Sequence, residues 1–130
     1  GLHRRLGGRL VPFAGYEMPL QFAGILAEHQ HTRQQASLFD VSHMGQIQVL
    51  GEWEAAGRFL ETVLPGDILE LASNLMRYSL LLNGQGGVVD DLMVLRRPQD
   101  ALLIVNASRK HVDLACLQGQ APPGVSFQSR

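Results

Sequence analysis

The feature that most constrains the fold is LMRYSLLLN (75–83) joined through NGQGG (83–87) to VVDDLMVL (88–95). Two apolar runs separated by so short a connection can pair only as an antiparallel hairpin, because a parallel pair needs a long crossover. Asn83 and the glycines at 84, 86 and 87 supply the positive φ angles that a tight turn requires. A hairpin alone is marginal in water, so its apolar face must lie against other strands and a covering layer.

The neighbouring sequence supplies both. QIQVL (46–50) alternates polar and apolar residues, ALLIVN (101–106) follows the turn RPQD (97–100), and VSFQS (125–129) follows Pro122-Pro123-Gly124. EWEAAGRFLETVL (52–64) places Trp53, Ala56, Phe59, Leu60 and Val63 at helical spacing and stops at Pro65-Gly66. SRKHVDLACLQGQ (108–120) predicts a second helix with Ser108 as N-cap, and GILAEHQHTRQQAS (24–37) predicts another. From residue 46 the order is β-α-β-β-β-α-β, an α+β fold with helices on one face of an antiparallel sheet, close to the ferredoxin-like arrangement. Residues 1–23 are rich in Gly and hold Pro12 and Pro19, which predicts turns and short extended pieces, and the first 45 residues have no obvious core of their own.

Composition excludes several classes of function. Of 130 residues, 45% are apolar and 18% charged, which suits a packed domain. A net charge of −1 with dispersed basic residues leaves no footprint for nucleic acid or an anionic membrane. The single cysteine, Cys116, excludes an intrachain disulfide and a Cys-based zinc cluster. Cys116 lies on a helical stripe and is read as a small buried hydrophobe. His29 and His31, two apart in a predicted helix, point to different sides and cannot share a metal ion. No glycine-rich phosphate loop is present.

Two motifs invite chemistry. In FDVSHM (39–44), Phe, Val and Met interleave with Asp, Ser and His just before a strand, and Asp40 or Ser42 capping a turn explains the pattern. The other is the adjacent pair Asp90-Asp91. Neighbours in a strand face opposite ways, so one role cannot cover both carboxylates. Either the pair closes a solvated hairpin end, or one carboxylate interrupts an apolar face. Burial of an unpaired carboxylate costs several kcal/mol, so the second case would mark a site. Residue chemistry alone leaves both open.

VPFAGYEMPLQF (11–22), HTRQQASLFDVSHMGQIQVLG (31–51), LPGDI (64–68), YSLLLNGQGGVVDDLMV (78–94) and LLIVNAS (102–108) resemble, in order and spacing, the N-terminal part of the aminomethyltransferase family, the T-proteins of the glycine cleavage system. FDVSHM followed by GGVVDDL is the specific part of the match. Tyr16, where relatives usually have Trp, is a departure. The resemblance implies transfer of a one-carbon unit from the aminomethyl-lipoyl arm of H-protein to tetrahydrofolate, with release of ammonia. It implies Asp91 as the catalytic carboxylate beside the folate N10, with Met44, Tyr78 and Asn106 lining the folate pocket and Asp90 in a supporting role. It also implies that 1–43 is an incomplete segment of a first folate-binding domain, with the catalytic Asp in 44–130. Family enzymes are much longer, so the chain is expected to be a fragment, inactive alone, of a protein from a bacterial cytoplasm or a mitochondrial matrix. A non-catalytic folate-binding or regulatory module, and a ligand-free ferredoxin-like domain, are the competing readings.

Overall fold

A computed structural model describes residues 1–130 as two compact units, 1–43 and 44–130. In the first, a single helical turn α1 (Leu2–Arg5) precedes a hairpin of β1 (Arg9–Phe13) and β2 (Tyr16–Gln21), followed by α2 (Ile25–Gln34). Ala14 and Gly15 form its two-residue turn with φ of 48° and 82°. Positive φ at both positions matches the right-handed twist of the strands, though Ala14 carries a Cβ in a region that suits glycine. The Glu28 carboxylate caps α2 by accepting the Phe22 and Gly24 amides, and these bonds hold its pKa below the usual value. No residue of this unit is fully buried, in line with its lack of a core.

The second unit carries the core. Its elements are β3 (Gly45–Leu50), α3 (Trp53–Val63), β4 (Met76–Leu82), β5 (Val88–Arg96), β6 (Ala101–Val105), α4 (Lys110–Gln120) and β7 (Ser126–Ser129). The sheet order is β4-β5-β6-β3-β7, with every pair antiparallel. This is the expected α+β arrangement, with β6-α4-β7 forming a split crossover around β3.

Directly opposed residues share a sheet face, so the register defines the core. Leu81, Leu92, Val94, Leu103, Val105, Ile47, Val49 and Phe127 line one face, and all are buried. Against them α3 sets Ala56, Phe59, Leu60 and Val63, with Phe59 and Phe127 ring centroids 5.7 Å apart. The helix α4 contributes Leu117, with Leu114 and Cys116 half-buried beside it. Each fully buried Leu or Val supplies about 1.5–3 kcal/mol of hydrophobic stabilisation. Gly45 lets α4 approach, since a Cβ there would lie 2.7 Å from both Lys110 Cγ and Val105 Cγ2.

One boundary differs from expectation. Ser108 does not cap α4; the helix begins at Lys110 with Arg109 at the N-cap position. The Asn106 carbonyl accepts the Arg109 amide, so 106–109 is a turn that separates β6 from the helix.

Candidate functional site

The β4–β5 hairpin is closed by Asn83, whose Oδ1 accepts the Gln85 and Gly87 amides. Its register then breaks: Leu81 pairs with Asp90 but Leu82 with Val88, leaving Val89 as the extra residue of a β-bulge. The bulge corrects the simple alternation expected for this strand. Val89 packs against the core, whereas Val88 is 61% exposed instead of sharing a face with Leu92. Beyond the bulge the alternation is regular. Asp90, opposite buried Leu81, looks into the core layer, and Asp91, opposite Leu80, belongs to the other face.

That other face is largely apolar. Tyr78, Met93 and Ile104 form one row across three strands, and Met76, Leu95 and Leu102 form the next. Met93, Leu95, Leu102, Ile104 and Leu80 are half-buried, and Tyr78 is exposed. Asp91 stands at the end of this apolar lane.

Asn106, the first residue past β6, ties the two carboxylates together. Its Nδ2 donates to Asp90 Oδ1 at 2.9 Å, to Asp91 Oδ1 at 2.9 Å and, more weakly, to the Asp91 carbonyl at 3.3 Å. Tyr78 lies near enough to Asp91 to feel its charge: its pKa is raised first by partial desolvation and then by the Asp91 carboxylate. Three of the four residues expected in the folate pocket, Tyr78, Asp91 and Asn106, therefore meet. Met44 precedes Gly45, the partner of Val105, and so lies at the same end of the sheet as Asn106.

Beneath Asp90 lies a residue that sequence reading missed. Asp113 on α4 is the one fully buried ionisable side chain, with 0% exposure. Its pKa rises to about 7, first from burial and then from the neighbouring Asp90 carboxylate; Arg109 opposes the rise. Arg109 itself donates to the Val89 carbonyl at the bulge. The available signal was spacing: Asp113 lies one turn before Leu117 and so shares its core-facing stripe.

The FDVSHM segment follows the plainer reading. Asp40 accepts the Ser42 amide in an Asx turn, and His3 lies 2.7 Å from its other oxygen. Those bonds, the Ser42 ones first, hold Asp40 far below the ordinary carboxylate range. No group of three or more His, Cys, Asp or Glu is placed to hold a metal ion, and no helix is long and apolar enough to cross a membrane.

Residues 1–130 match the family described as GCVT N-terminal domain. The chain is 45% identical over 120 residues to an aminomethyltransferase of Desulfitobacterium hafniense, covering 92% of this chain and 32% of that protein. It is 43% identical over 129 residues to an aminomethyltransferase of Desulforamulus reducens, covering 98% of this chain and 35% of that protein. The crystal structure of glycine cleavage system aminomethyltransferase T from Bartonella henselae superposes with a TM-score of 0.87 at 39% identity, covering 99% of this chain and 36% of that one. The chain thus spans about a third of the length of the relatives it matches.

Proposed function

Because the chain belongs to the GCVT N-terminal domain family, we propose that it is the N-terminal part of a glycine cleavage aminomethyltransferase and contributes the catalytic carboxylate. The complete enzyme moves the one-carbon unit from the aminomethyl-lipoyl arm of H-protein to tetrahydrofolate and releases ammonia. Residues 1–43 belong with a folate-binding domain, and 44–130 carry Asp91.

The observation that carries this reading is the junction of Asp91 with an apolar sheet face. A flat, partly aromatic co-substrate suits a lane of Tyr78, Met93 and Ile104, and a nitrogen that gains positive charge suits a carboxylate at its end. The Asn106 amide fixes one Asp91 oxygen, so the group meets developing charge without reorganising. Asp91 stabilises the cationic nitrogen and accepts its proton as the new carbon–nitrogen bond forms. Tyr78 offers a ring for contact beside the carboxylate, and Met44 adds an adaptable apolar edge.

Calorimetry of the complete enzyme with tetrahydrofolate tests the pocket. Tyr78→Ala is expected to weaken binding by about tenfold, the value of one aromatic contact. Unchanged affinity in that variant would remove Tyr78 from the pocket.

A further inference from the structure

We propose that Asp113 carries a proton that it donates to Asp90, and that this singly protonated pair, acting through the Asn106 amide, is a positioning device for Asp91. The inference rests on the reading of Asp91 as the catalytic carboxylate, but its structural half stands apart from that reading.

The argument begins with unsatisfied oxygens. Asp113 Oδ1 and Oδ2 and Asp90 Oδ2 are all buried and receive no donor from the rest of the protein. Buried polar atoms without partners are rare, and a carboxyl as fully buried as Asp113 does not stay ionised beside a second carboxylate. A single proton on Asp113, directed at Asp90 Oδ2, resolves the conflict: it removes one charge and supplies the missing donor. The charged groups facing the pair are few. Asp91 adds repulsion from β5, and Arg109, next to the start of α4, provides the only attraction to the Asp113 carboxylate.

The remaining Asp90 oxygen, Oδ1, accepts from Asn106 Nδ2 at 2.9 Å, and the same nitrogen serves Asp91 Oδ1 at 2.9 Å. An amide nitrogen has two hydrogens, so each carboxylate can hold one. Loss of the Asp113 proton would place a further charge below Asp90 and disturb the balance of the Asn106 amide between the two. Asp113 is fully buried, and besides its direct repulsion of Asp91 it acts on that carboxylate through Asp90 and Asn106.

Asp113→Asn separates proton from shape, since its amide can still donate to Asp90 but does not titrate. For a carboxyl whose folded pKa is raised, the stability it confers is present below the unfolded pKa of 3.8 and is lost as pH rises through about 7. The stability of the 130-residue chain, taken as wild type minus Asp113→Asn, is expected to fall across that window. Carbon-13 NMR of aspartate carboxyls in the wild-type chain should show one group titrating near pH 7, which serves even where the variant folds poorly. In the complete enzyme, Asp113→Asn should abolish the change in turnover centred on that pH, whereas a purely structural lesion would scale turnover equally at every pH. Flat difference stability, together with every aspartate carboxyl titrating in the ordinary acidic range, would overturn the proton-sharing pair. A titrating pair with an unaltered pH–rate profile would overturn its positioning role. Neither result depends on whether Asp91→Asn is active.

Discussion

Asn106 Nδ2 lies 2.9 Å from Asp91 Oδ1, and this contact joins the end of β6 to the carboxylate on β5. The same nitrogen reaches Asp90, so one amide spans the two faces of the sheet at the point where the chain leaves it. Asn106→Ala removes the donor for both carboxylates. The expected cost is about 1–3 kcal/mol of stability, the usual penalty for leaving a partly buried acceptor unsatisfied. Urea unfolding measures it, and turnover of the complete enzyme should fall with it. A variant with wild-type stability and turnover would show that the bridge is incidental.

The approach of α4 to the sheet gives a second, paired prediction. Gly45→Ala must displace Val105 or Lys110, and Val105 is fully buried, so an overpacking cost of about 1–3 kcal/mol is expected. Gly119→Ala, in the same helix, meets nothing within 4 Å and should stabilise by about 0.5–1 kcal/mol through helix propensity. Denaturant midpoints of the two variants should move in opposite directions. Equal shifts would mean that Gly45 does not set the helix–sheet distance.

Acid sensitivity supplies a third. Asp100 accepts bonds from Arg97 Nε at 2.5 Å and Nη2 at 2.6 Å and a further one from Gln48; the Arg97 bonds lead in holding its pKa below 3.8. A carboxylate with a depressed folded pKa contributes stability above its unfolded pKa and loses it as pH falls through the folded one. Asp100→Asn should therefore narrow the loss of stability below pH 3.8, read by thermal unfolding across acidic buffers. Parallel curves for variant and wild type would show that the turn does not sense acid.

The sequence was most legible where period and punctuation agree. In α3 the apolar residues repeat at helical spacing up to Pro65, and the helix ends at Val63. In β4 and β5 two long apolar runs flank a glycine-rich turn, and the strands run Met76–Leu82 and Val88–Arg96. The bulge at Val89 left no mark, because VVDDLMVL carries no Gly or Pro to signal an extra residue; the faces of Asp90 and Asp91 came out opposite because the break precedes both. The hairpin of residues 9–21 was only partly visible, since Pro12 and Pro19 argue against regular strands and only pairing across Ala14-Gly15 overrides them. Asp113 escaped notice for a different reason. An acidic residue in a weakly amphipathic helix reads as solvated, and only the Asp90 oxygen across from it reveals a partner. Tyr78, Met44 and Asn106 were reached through family resemblance, because no spacing rule joins residues on separate strands.

The most direct test of the catalytic role is the rate of one-carbon transfer by the complete enzyme carrying Asp91→Asn, measured beside its affinity for tetrahydrofolate. Asparagine keeps the size of the side chain but can neither balance the positive charge nor take the proton. Turnover is expected to fall by about 10²–10⁴-fold with tetrahydrofolate affinity retained. Turnover within a few-fold of wild type would contradict the assignment of Asp91 as the catalytic carboxylate.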